Sequence, residues 1–200
     1  MEKNKVKFKL KRAYYAPITE DQEGVITYGT PVRIPGSVAI SLSPEGEMNN
    51  FRADATVYYR VNQSEGYAGN LELALIPDDF RVYALGETLD ETNQIIYEKS
   101  TDQNQPFALL FEFEADKKNI RHVLYYCYAS RSSIEGENPD KREVKSETIS
   151  ITAIPREIDN LVKSKTNPNT PSEVYDSWYS KVHEPEEVEP VENPEDEAND

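Results

Sequence analysis

A mainly β domain, sandwich or barrel, with one short flanking helix and a possible second helix near the C-terminus, is the fold class predicted for this 200-residue chain. Three observations predict it. Short runs alternate apolar and polar residues with a period of two, the mark of half-buried strands. Gly and Pro punctuate the gaps between them, as at Glu23-Gly24, Gly29-Thr30-Pro31 and Pro35-Gly36. Only two stretches carry helical spacing. Apolar residues make up only 37% of the chain, but they cluster in these runs, so a core is available.

Taken in order, "KNKVKFKLKR" (Lys3 to Arg12) alternates lysine with Val6, Phe8 and Leu10, which predicts a strand with one solvated face rather than a nucleic-acid arm. Val38 to Leu42 is another strand, followed by a polar loop "SPEGEMNNFR" from Ser43 to Arg52 and a strand within "ADATVYYRV". Leu71 to Ile76 alternates again. Pro77 stops it, and Phe80 to Leu85 forms about two turns of helix closed by Gly86. Asp78 is expected to cap that helix and Asp79 to place charge where the helix dipole favours it, the cap contributing roughly 1 kcal/mol.

A brief strand is expected at Ile95–Tyr97. "PFALLFEFEAD" and "IRHVLYYCYAS", joined by a tight connection, predict a hairpin. On its first strand Phe107, Leu109, Phe111 and Phe113 share one face, and Ala108, Leu110, Glu112 and Glu114 share the other. "SSIEGENPDKRE" is an exposed loop and "ETISITAIP" a further strand. In "TPSEVYDSWYSKV", Ser172 is expected to cap a closing helix with Val174, Trp178 and Val182 on one side.

Residues 1–183 are expected to form one domain and residues 184–200 a disordered acidic tail. That segment holds nine of the 37 acids, three prolines and no Lys or Arg, so it lacks the apolar surface needed to offset chain entropy. Nine of the fifteen net negative charges therefore sit there, leaving −6 on residues 1–183. This sign argues against sequence-independent nucleic-acid binding, which neutralises phosphates with Lys and Arg. The lone Cys127 allows no internal disulfide and points to a reducing compartment. No secretory signal or transmembrane span is visible, so assembly in the cytoplasm without membrane insertion is expected.

Chemistry is sparse. Two histidines, His122 and His183, and one cysteine do not make zinc spacing, and no phosphate-cradling glycine loop occurs, so no cofactor or metal is expected. His122 lies mid-strand, where a packed histidine is expected, and Cys127 between two tyrosines is expected to be inert packing. Two alternatives stay open on composition. Thirteen tyrosines suit a monomeric carbohydrate-binding β-sandwich module, and Glu72 with Glu112 would serve a glycosidase if their strands were neighbours.

The stretches "YAPITEDQEGVITYGTPVRIPG", "SLSPEGE", "GYAGNLELALIPDDF" with "LGE", "PFALLFEFEAD", "RHVLYYCYASR", "ETISITAIPR" and "VYDSWYSKV" together resemble, in order, the major tail (tail tube) proteins of long-tailed, non-contractile bacteriophages. The resemblance spans about residues 6–183 and implies a tail-tube-type β-sandwich or barrel without catalytic residues. It implies hexameric rings stacked on a tape-measure protein, bounded by tail terminator and baseplate or distal tail proteins, in a virion tail that lets double-stranded DNA pass without holding it. By that analogy the N-terminal arm and Ser43, Pro44, Glu45, Gly46, Glu47, Met48, Asn49, Asn50, Phe51 and Arg52 are candidates for ring-to-ring contacts. Glu72, Glu112, Glu114 and Glu147 are candidates to face the lumen and repel phosphate.

Overall fold

The computed structural model describes residues 3–20, 25–134, 136 and 144–185. The chain runs through β1 (Lys7–Glu20), β2 (Ile26–Tyr28), β3 (Val32–Ile34), β4 (Ser37–Ala53), β5 (Thr56–Leu73) and α1 (Asp78–Ala84). It continues through β6 (Thr88–Asp90), β7 (Ile95–Tyr97), β8 (Phe107–Ala115), β9 (Ile120–Ala129), β10 (Glu147–Ala153), β11 (Lys163–Lys165) and α2 (Ser172–Ser177). The fold is mainly β. One nine-stranded sheet has the order β2-β1-β8-β9-β10-β5-β4, with β3 on β1 and β11 on β9, and β6 and β7 form a small separate hairpin. The sheet does not close into a barrel.

The alternation in β8 splits its side chains between two apolar layers. Phe107, Leu109 and Phe111 join Leu71, Leu73, Ile149 and Ile151 in the larger core, over which α1 packs with Phe80 and Ala84 fully buried. Ala108 and Leu110 pack with Val123, Tyr125, Trp178 and Val182 in the second layer. Both faces of β8 are therefore covered, and the predicted hairpin with β9 forms antiparallel, with Phe113 opposite Ile120.

Three local expectations are corrected. The segment Ser43–Arg52 is not a loop. It is the outer half of β4, paired antiparallel with β5, with register shifts at Glu45/Gly46 and Phe51/Arg52, in a hairpin whose turn falls at Asp54 and Ala55. Both turn residues take positive φ, 50° and 61°, the mirror-type turn that matches strand twist, here without the usual Asn or Gly. Ala55 pays for this conformation with a strained Cβ. Ala55→Gly is expected to stabilise the hairpin by up to about 1 kcal/mol, read as a rise in the urea midpoint.

The helix caps also differ. Pro77 occupies the position before α1, and no side chain caps the helix. Asp78 and Asp79 lie inside the first turn, where their charge still meets the dipole, and Asp79 accepts the Tyr15 hydroxyl at 3.4 Å. Likewise Pro171, not Ser172, precedes α2. That helix ends at Ser177, so Trp178 and Val182 are buried from the turns that follow it. The expected disorder of the acidic tail concerns residues that, beyond Pro185, lie outside those described, as does most of the expected loop across residues 135–143.

Candidate assembly surfaces

Parity along β4, β5 and β10 builds a distinctive face. Residues opposite each other in an antiparallel pair point the same way, so the core takes Ile40, Leu71 and Ile149, and their neighbours point out. Three cross-strand rows result: Ala39–Glu72–Thr148, Ser41–Asn70–Ser150 and Ser43–Ala68–Thr152. Most of these nine side chains are exposed or half-buried. All but Glu72 are small or uncharged, and none is Lys or Arg. Ser150 donates to Asn70 Oδ1 at 3.1 Å, and Ser146 donates to the Glu72 carboxylate. The chemical capacity of this face is hydration without cation-mediated phosphate capture. The signal is present in the sequence, as small polar residues at alternate positions of "SVAISLS" and "ETISITA".

The four acids named as candidates to face a lumen do not share a surface. Glu72 alone lies on this wet face. Glu147 has the opposite parity, on the core side of β10, where it accepts the Ile76 amide at 2.7 Å and pairs with Arg81 at 3.2 Å, tying the entry of α1 to the sheet. Glu114 lies near the end of β8, 3.8 Å from Lys9. Glu112 is 1% exposed beneath α2 and its following turns. It accepts Arg121 Nε at 2.8 Å and Asn119 Nδ2 at 2.9 Å. The Arg121 guanidinium stacks 3.7 Å over Tyr175 and donates to the Tyr175 carbonyl, so this ion pair fastens α2 to the hairpin. Burial, then the Glu112 charge, pushes the Tyr179 hydroxyl well above the usual phenol range.

Beyond the stretch of β5 that pairs with β10, Tyr67 to Leu73, the β4–β5 hairpin continues as a two-stranded ribbon. About nine residues per strand at 3.3 Å each carry it roughly 30 Å from the body. A register shift between Glu45 and Gly46, with Gly46 at φ 144° and Gly66 at φ 115°, bends it where it leaves. A Cβ on Gly66 would overlap the Ala153 carbonyl, so only glycine fits there. Near the tip Tyr58 and Tyr59 are 73% and 64% exposed. The N-terminal arm, by contrast, is docked. Lys5 N donates to Asp116 Oδ1 at 2.9 Å, and Asn4 Nδ2 to the Lys118 carbonyl at 2.8 Å.

On the core side the sheet leaves an open groove of about 390 Å³, floored by Ile40, Leu42, Phe111 and Leu124 and rimmed by Lys7 and Lys163. The His122 ring stacks on Phe111 at 5.0 Å and meets Phe113 edge-on. Burial, reinforced by Lys165, Lys163 and Lys7, pushes His122 down to about 4. The folded state thus holds it neutral, whereas the unfolded chain protonates it below about 6.5. Its linkage contribution is complete above that pH and is lost as pH falls toward 4. The stability difference between wild type and His122→Gln is therefore expected to be flat above about pH 6.5 and to shrink below it, measured by urea unfolding across pH. Cys127 is fully buried, with its thiol pushed up by burial, in keeping with inert packing.

Among the described residues no cluster of three or more His, Cys, Asp or Glu is placed to hold a metal, and no helix is long and apolar enough to cross a membrane. The glycosidase pair does not form. Two strands, β9 and β10, separate the strands of Glu112 and Glu72, a spacing of about 14 Å. Carboxylates that act together on a glycosidic bond lie about 5–9.5 Å apart.

No family model matches the chain, and no curated protein matches it. Among solved structures, it is similar to the tube-terminating cap of the anti-feeding prophage, at 9% identity and a TM-score of 0.42, over 83% of this chain and 96% of that one. It is also similar to the sheath/tube terminator of an extracellular contractile injection system, PVC, in its extended state. That match has 10% identity and a TM-score of 0.41, over 78% of this chain and 96% of the other. Likeness at this level assigns the chain no function.

Proposed function

We propose that this protein is a structural subunit of a phage tail tube, assembling into stacked hexameric rings whose lumen conducts DNA, with no catalytic role. The observation that carries the reading is the β4–β5 ribbon. An isolated two-stranded ribbon is marginal in water, and the outer part of this one pairs with no third strand among the described residues. A second copy is the partner that a ring of identical subunits supplies. The ordered sequence resemblance to tail tube proteins points the same way, and it brings the tape-measure protein, the tail terminator and the baseplate or distal tail proteins as neighbours.

The wet face fits the same role. A sheet packed on one side and solvated on the other can line an aqueous channel, and Glu72, the one charged group in its three rows, would repel passing phosphate. A carbohydrate-binding module is less well supported. Tyr58 and Tyr59 are consecutive in a strand and point to opposite sides of the ribbon, so they do not form a stacking platform.

Replacing residues 46–64 by a two-residue Asn-Gly turn tests the reading. The body keeps both apolar layers and is expected to remain folded by circular dichroism, while rings and tubes disappear in negative stain. A shortened protein that assembles as the full one does would overturn it. Stacks of many rings mark a tube subunit. Single rings that never stack would instead mark a terminator, the role named for the two solved structures.

A further inference from the structure

The groove on the core side is the uncovered end of an apolar interior whose other end is closed. At the Phe107 end of β8, α1 covers the core with Phe80 edge-on to Phe107. At the Phe113 end, roughly 20 Å along the strand, no helix among the described residues covers Ile40, Leu42 and Phe113, which stay half-buried. The rim there is cationic. Lys7 Nζ lies 4.5 Å over the Phe113 ring, Lys163 Nζ lies 4.1 Å over the Tyr67 ring, and Lys165 stands opposite His122 in register. Among the described residues no Asp or Glu lines this groove, and neither Lys7 nor Lys163 is ion-paired.

The complementary surface is the β6–β7 hairpin. It pairs with no third strand among the described residues, and a two-stranded hairpin alone is marginal in water. Thr88 to Glu98 carries Asp90, Glu91 and Glu98 and no Lys or Arg. Asp90 lies opposite Ile95 and Thr88 opposite Tyr97, so these four side chains share a face. On it Ile95 and Tyr97 are 47% and 46% exposed. We propose that this hairpin docks in the groove of a second copy, with Ile95 and Tyr97 on the apolar floor and Asp90 and Glu91 at the lysine rim. Its own groove is out of reach. Glu98 is held 3.1 Å from Arg131, and the Lys99 carbonyl accepts the same guanidinium at 2.8 Å, just beyond the end of β9 that pairs with Phe107. Hairpin and groove therefore sit at opposite ends of the same strands, and copies join head to tail. Such a heterologous contact generates rings where the rotation closes and filaments where it does not. The contact rests on the assembly reading, because only a second copy supplies it.

Cross-linking of full-length chains separates this contact from the assembly reading. Thr92→Cys, in the exposed hairpin turn, and Lys165→Cys, beside the groove, are made in separate chains, the native Cys127 being fully buried. The two are mixed in equal amounts, treated with a short bis-maleimide and imaged by negative stain. The mixture is expected to give at least about fivefold more linked dimer than either variant alone. Adding Ile95→Ser and Tyr97→Ser to the Thr92→Cys chain is expected to remove that excess, with circular dichroism unchanged because both side chains are exposed. Lys7→Gln with Lys163→Gln in the Lys165→Cys chain is expected to do the same. Rings or tubes without the mixed link, or a mixed link that survives both sets of substitutions, overturn the inference and leave the assembly reading standing. Monomers with no link at all overturn both.

Discussion

Arg121→Ala is expected to destabilise the protein by about 3–5 kcal/mol, the cost of stranding one member of a buried ion pair. Glu112 is 1% exposed and its side-chain partners are Arg121, Asn119 and, at 3.5 Å, the Tyr179 hydroxyl. Without the guanidinium its charge faces an apolar layer. The loss extends to α2, because Arg121 also stacks on Tyr175 and Tyr179 and donates to the Tyr175 carbonyl. Urea unfolding gives the stability. The fluorescence of Trp178, the single tryptophan and 2% exposed, reports whether the segment lifts from the sheet. The double variant Glu112→Gln with Arg121→Met is expected to cost less than Arg121→Ala alone, since no unpaired charge remains. Equal or greater loss in the double variant would show that packing, not the stranded charge, carries the effect.

Phe80→Ala is expected to cost about 3–5 kcal/mol, the range for deleting a buried aromatic ring. A helix of seven residues is not stable alone, so α1 exists because it docks. Phe80 is fully buried, edge-on to Tyr15 at 5.1 Å and to Phe107 at 5.3 Å. Tyr83 adds a polar clasp, accepting the Ile18 amide and donating to the Pro106 carbonyl, both at 2.8 Å. With Phe80 removed, hydrogen exchange at the α1 amides should accelerate at least about tenfold more than exchange in β10. Uniform acceleration would mean that α1 and the sheet unfold as one unit.

The parts of this fold that are legible in the sequence are those where periodicity and punctuation agree. Alternation in "PFALLFEFEAD" assigns both faces of β8, and Pro77 with Gly86 brackets α1. The ribbon is hidden because its signals point the wrong way. Pro44 and Gly46 look like loop residues, but β4 is the last strand in the sheet order and tolerates a missing amide, and Gly46 sits in a bulge. The true turn, Asp54-Ala55, lacks glycine and asparagine. Glu112 looks like a solvated acid because its partner arrives across the hairpin, Arg121 lying opposite it in register. The covering segment that makes that face an interior comes from more than fifty residues later in the chain. Glu147 differs from its expected place by one step of parity, which in a strand reverses the face.

Imaging the purified full-length protein by negative stain, with mass measured over a range of concentrations, tests the central claim most directly. Hollow rings of about six times 22.8 kDa that stack into tubes are the predicted result. A species that stays at 22.8 kDa at every concentration, joins no ring when added to growing tails, and binds glycans would contradict it.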